Sequence, residues 1–65
     1  MHILVNGVPH EVLASNCSHA LEELGYAQTI VATALNGTFL SASERENIAL
    51  SDGDALEILA PMQGG

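Results

Sequence analysis

Asn-Gly occurs twice in this chain, at Asn6-Gly7 and at Asn36-Gly37, each time between two short apolar runs. Both residues of this pair tolerate the positive φ that a two-residue hairpin turn demands. Two such turns commit the chain to two antiparallel ribbons. The first is predicted from a strand over residues 2–6 and a second over 8–13. The other comes from a strand over 30–35 and a short return over 38–40. Pro9 lies inside the second strand and has no N–H for a ladder, which places that strand at a sheet edge.

Between the ribbons, Ser15-Asn16-Cys17-Ser18 offers helix caps, and Ala20, Leu21 and Leu24 recur at helical spacing. A helix through residues 19–24, stopped at Gly25, follows. Residues 41–47 are polar and read as a loop or one helical turn. Ile48-Ala49-Leu50 returns to the core, and Ser51-Asp52-Gly53-Asp54 reads as a turn. The last strand is predicted over 55–60. Ile3-Leu4-Val5 and Leu56-Glu57-Ile58-Leu59 are the most apolar strands, so both are expected in the middle of the sheet, buried on both faces. A whole crossover separates them, so they run parallel. The fold class is therefore α+β: a β-grasp, ubiquitin-like mixed sheet of four to five strands with one main helix on one face. One domain over residues 1–60 is expected, then a flexible tail over 61–65.

With 65 residues, such a domain has only one small core. Hydrophobic residues make up 48%, enough to fill it. Cys17 is alone, so no internal disulfide staples the fold, and a reducing, cytoplasmic location is expected. The sequence shows neither a signal peptide nor the roughly 18 apolar residues of a membrane helix. Eight acidic residues face one basic residue, Arg45, with no lysine. A net charge of −7 repels nucleic acid and anionic membranes. It suits a basic protein partner, and equally a small domain kept soluble and monomeric.

The chain ends Pro61-Met62-Gln63-Gly64-Gly65. A terminal carboxylate is ionised near neutral pH and is a poor electrophile until activated, for example as a mixed anhydride with AMP. Glycines let such an end thread a narrow channel in another protein, and Pro61 stops the strand from continuing. A frayed terminus is the plain alternative.

Several stretches together carry a resemblance: "ILVNG" at the first turn, "HALEELG" in the helix, "ATALNG" at the second turn, "SDGDALEIL" at the last strand and "QGG" at the end. They span essentially the whole chain. The sequence resembles the ubiquitin-like sulfur carriers of prokaryotes, and among them the ThiS family of thiamin biosynthesis. One stretch departs from that family's pattern: at residues 41–45 the Ser-Glu pair is kept, but the Pro-Arg before it and the Trp after it are not.

The resemblance implies a carrier rather than an enzyme. A ThiF-type adenylating enzyme, using ATP and magnesium, would activate the Gly65 carboxylate. A sulfur donor relay would then displace AMP and leave a thiocarboxylate for the thiazole synthase ThiG. Gly65 is the attachment site, and Gly64, Gln63 and Met62 belong to the tail presented to partners. Phe39 and Leu59 are candidates for the partner surface, with core packing as their alternative. No permanently bound cofactor and no metal site are expected, and the free protein is expected to be a monomer. A small subunit of molybdopterin synthase (MoaD-like), or a carrier for another metabolite, would share the tail chemistry. A β-grasp binding module with inert glycines would survive their deletion, and a modifier joined to target lysines would give higher-mass conjugates.

Three further sets of residues carry candidate chemistry. Cys17 at a helix start reads as a small packing residue, with a reactive thiol as the alternative. His2, His10 and His19 lack ligand spacing, though His2 and His10 could meet across the first hairpin. Asp52-Gly53-Asp54 lacks the remaining ligands of a calcium loop and reads as a turn.

Overall fold

The computed structural model describes residues 1–60. Strands β1 (His2–Val5) and β2 (Val8–Glu11) form the first hairpin, and β3 (Ala32–Leu35) and β4 (Thr38–Leu40) the second. Helix α1 (Cys17–Glu23) joins the hairpins, and β5 (Ala55–Leu59) closes the sheet. The five-stranded order is β2-β1-β5-β3-β4, with β1 and β5 parallel and the other pairings antiparallel. This is the β-grasp arrangement: β5 is the middle strand, flanked by β1 and β3, and β2 with its Pro9 is an edge.

Both Asn-Gly pairs form the expected two-residue turns. Asn6 and Asn36 each have φ 51°, and Gly7 and Gly37 have φ 83° and 85°. Positive φ at both central positions marks the turn whose twist matches that of the flanking strands. Asn16 caps α1, its Oδ1 accepting from the His19 amide at 2.8 Å. The helix therefore starts at Cys17, two residues before the predicted position. Glu23, in its last turn, accepts from the Leu13 and Ala14 amides at 2.9–3.0 Å and so ties the helix to the segment after β2.

The core lies between α1 and one face of the sheet. Ile3 and Val5 of β1, Leu56 and Ile58 of β5, and Cys17, Ala20 and Leu21 of α1 are all buried, with Leu40 and Leu50 closing the ends. Cys17 is thus a packing residue. Burial pushes its thiol up, against the opposing field of Arg45. A raised pKa leaves less thiolate, so the reactive alternative loses its basis.

One expectation is corrected. The two central strands are not buried on both faces: the burial of β1 and β5 alternates, and Leu59 is 72% exposed. A single helix covers a single face, so the second face of the sheet stays open and its apolar residues meet solvent. The third strand also starts two residues later than predicted, leaving Ile30 exposed outside it.

Residues 42–47 form a 3-10 helix, Ala42–Asn47. Glu44 holds its start by accepting from the Ser41 amide and from the Ser41 hydroxyl, each at 2.8 Å. Arg45 reaches back to the sheet. Its Nε donates to Thr33 Oγ1 at 2.9 Å and its Nη2 to the Val31 carbonyl at 2.7 Å. The single basic side chain of the protein is therefore spent internally, across the ends of two elements.

Candidate functional site: the open sheet face beside the last strand

Cross-strand partners share a face of a sheet. Ala34 lies opposite Phe39 on β4 and opposite Glu57 on β5, so Phe39, Ala34 and Glu57 form one row across the open face. Ala32 lies opposite Leu59 in the next row. Two small alanines on β3 stand between larger neighbours on β4 and β5. The result is a shallow apolar trough, lined by Asn6, Ala32, Ala34, Phe39, Glu57 and Leu59 with parts of Thr33 and Ile58.

Phe39 is 67% exposed, and Leu59 shares its face of the sheet. Neither is core, so the alternative reading of these two residues fails. A large exposed aromatic and a large exposed aliphatic side chain around one concavity mark a surface suited to contact with another molecule. Glu57 contributes the one charged side chain of the lining. Arg45, turned into its bonds with Thr33 and Val31, contributes nothing to it.

The other candidates are placed as follows. Met62, Gln63, Gly64 and Gly65 lie outside the described residues. His2 pairs across the hairpin with Glu11, its Nδ1 2.9 Å from Glu11 Oε1, while His10 is opposite Ile3. His2 and His10 therefore face opposite sides of the hairpin and do not meet. Among the described residues, no three of His, Cys, Asp and Glu come together as a metal-binding group.

Two residues matter here that the sequence reading passed over. Asn6, read only as a turn residue, lies at the rim of the trough. Its amide is hydrogen-bonded to the backbone of Ile58 on β5. Arg45, read only as a charge, braces β3 from behind. The signal for Asn6 was present, since a turn of this type accepts several residues at that position and asparagine brings an amide. Its partner, however, is 52 positions away.

The sequence matches the ThiS family model over residues 3–65. The chain belongs to the ThiS family. Among curated proteins, it is 35% identical over 63 residues to the sulfur carrier protein ThiS of Thermus thermophilus, covering 97% of this chain and 98% of that one. Among solved structures, it is similar to the crystal structure of the thiamine biosynthesis protein ThiS from Geobacter metallireducens. There the TM-score is 0.82 at 36% identity, with both chains covered completely. A solution structure from the same organism gives a TM-score of 0.81 at 36% identity, covering all of this chain and 88% of that one. The ThiS resemblance read from the motifs thus holds for the fold and for the family.

Proposed function

We propose that this chain is a sulfur carrier, charged at the C-terminal carboxylate of Gly65, that supplies sulfur for thiazole formation in thiamin biosynthesis. One observation carries the proposal: the family match runs through residue 65, so it takes in Gln63-Gly64-Gly65 together with the fold. The names of the similar proteins, a sulfur carrier and a thiamine biosynthesis protein, support the same reading.

The chemistry follows from the carboxylate. A carboxylate oxygen attacks the α-phosphorus of ATP in a ThiF-type enzyme, with magnesium on the phosphates, and pyrophosphate leaves. The acyl adenylate is now an electrophile. Sulfide-level sulfur delivered by a donor relay attacks the acyl carbon and AMP leaves, giving the thiocarboxylate. That sulfur is a far better nucleophile than a carboxylate oxygen, and it passes to ThiG during thiazole assembly. The chain is co-substrate and carrier throughout, not the catalyst. ATP and magnesium belong to the activating enzyme.

The open trough is the docking surface in this reading. It lies beside β5, the strand that leads into Pro61, so an enzyme gripping Phe39 and Leu59 is beside the start of the tail. A partner rich in basic residues suits the −7 charge and the lone Glu57. Among the described residues no helix is long and apolar enough to cross a membrane. A cytoplasmic monomer, meeting its partners by diffusion, completes the proposal.

The test is the intact mass of the chain after incubation with ATP, magnesium, a ThiF-type enzyme and a sulfur donor system. The expected change equals one oxygen replaced by one sulfur, confined by peptide mapping to Gly65. An unchanged mass, with an enzyme proven on its own carrier, overturns the proposal.

A further inference from the structure

The parallel ladder between β1 and β5 ends in an unusual way. The Asn6 amide donates to the Leu56 carbonyl at 3.0 Å, as a regular parallel ladder requires. The next bond of that ladder would run from the Ile58 amide to the Asn6 carbonyl. At φ 51° Asn6 has already turned into the hairpin. The Ile58 amide donates instead to Asn6 Oδ1 at 2.7 Å, and Asn6 Nδ2 donates to the Ile58 carbonyl at 3.0 Å. The side-chain amide stands in for a strand residue that is no longer there.

Asn36 repeats the device on the other side of β5. Its backbone amide donates to the Ala55 carbonyl at 2.8 Å, and the Ala55 amide donates to its Oδ1 at 2.9 Å. The two turn asparagines therefore hold the two ends of β5: Asn36 its first residue, Asn6 its fourth. Only Asn6 acts next to the exit, since Ile58 is three positions before Pro61.

We propose that Asn6 is a positioning residue for tail activation: its side-chain amide extends the sheet to Ile58, three positions before Pro61, and so fixes the end of β5. The role rests on the sulfur-carrier reading above. Effective reaction requires reacting atoms held within a few tenths of an ångström, and a misplacement on the order of 1 Å costs about a hundredfold in rate. Fixing the exit point removes slack at the root of the tail. The side chains of Phe39 and Leu59 make neither of these bonds.

The test compares Asn6→Gly, Asn6→Asp and Asn36→Gly in the full chain. Glycine keeps the left-handed turn and removes the amide. Aspartate keeps an acceptor for the Ile58 amide and loses the donor. Asn36→Gly removes the matching contact at the far end of β5 and controls for stability. Two readouts are taken: hydrogen exchange of the Ile58 amide relative to that of Leu56, and ATP–pyrophosphate exchange with a ThiF-type enzyme at varied carrier concentration.

Asn6→Gly is expected to speed Ile58 exchange by roughly fivefold, as the loss of one hydrogen bond implies. It should lower kcat about tenfold, with KM changed less than about twofold. Asn6→Asp should recover part of kcat, and Asn36→Gly should leave kcat at the wild-type level. If Asn6→Gly does not fold, the Asn6→Asp and Asn36→Gly pair decides, with a lowered kcat expected in the former alone. Equal kcat values in the Asn6 and Asn36 variants, or a change in KM alone, would overturn the positioning role. A wild-type chain that supports no exchange overturns the carrier reading itself, and is told apart because it fails before any variant is compared.

Discussion

Replacing Arg45 with alanine removes two hydrogen bonds from a cationic donor, to Thr33 Oγ1 and to the Val31 carbonyl. Bonds to charged groups contribute about 1.5–3 kcal/mol each. Arg45 is half-buried, so solvent replaces part of what is lost, and the lower end of that range applies. Thr33 is buried, but its hydroxyl keeps the Leu40 carbonyl as an acceptor at 3.0 Å, so the threonine is not left without a partner. The expected loss is about 2–3 kcal/mol, equivalent to roughly 8–24 °C in Tm for a domain of this size. The net charge also moves from −7 to −8, since one positive charge is removed. Urea unfolding followed by circular dichroism, at about 0.15 M and about 1 M salt, separates the two effects, because the Debye length falls from roughly 8 to 3 Å. A loss due to charge repulsion is restored by salt. A loss due to the brace on β3 persists. Lysine at position 45 should recover less than half, because its point charge lacks the planar fork that reaches two acceptors. A loss below about 0.5 kcal/mol, or full recovery in salt, refutes the assignment of Arg45 to internal bracing.

Phe39→Ala with Leu59→Ala should change unfolding free energy by less than about 1 kcal/mol, since both side chains are already largely exposed. Titration calorimetry against a ThiF-type enzyme should show Kd weakened roughly 30-fold or more, as loss of an anchoring aromatic costs about 2 kcal/mol or more; unchanged binding would remove the trough as the docking surface. Bonds from the Ser41 amide, and then from its hydroxyl, hold the Glu44 carboxyl below its ordinary pKa. Its contribution is therefore present above about pH 4.3, the ordinary glutamate value, and lost as pH falls through the depressed folded value. Acid titrations should show Glu44→Gln less stable than wild type near neutrality and converging with it below that interval. A constant gap across the titration counts against the linkage.

The two hairpins and the edge position of β2 could be read from sequence because each rests on local chemistry, and the parallel pairing of first and last strands followed from the crossover between them. Asn-Gly fixes a turn, and Pro9 bars a central ladder. The start of α1 shifted by two residues, because Asn16, rather than a later candidate, supplies the cap. The open face was missed at β1 and β5 for a different reason. An apolar run says that both faces are apolar, not that both are covered. With one helix for a five-stranded sheet, Leu59 had to be left outside. Phe39 and Leu59 could be named in sequence as candidates, but their meeting in one trough depends on Ala32 and Ala34, whose small size reads as nothing in particular until the register is known. Asn6 and Arg45 escaped for a shared reason. Their side chains act on β5 and β3 at long sequence separation, and turn and charge rules have no access to such partners.

The position of β5 ties these features to the proposed role. A strand that must present a tail to an enzyme is pulled at its end, and a strand at the sheet edge would yield by losing one ladder. β5 has ladders on both sides, to β1 and to β3, and each hairpin turn adds an asparagine amide where the regular ladder stops. Peeling its last residues therefore breaks the bonds of Ile58 to Asn6 as well as those to β3. Stability within a fold is not uniform, and terminal strands are usually the first to fray. Here the last strand is held on both sides, by β1 and by β3. A stiff base and an apolar trough beside it are the two properties a carrier needs if one enzyme must grip the body while its active site holds only the end.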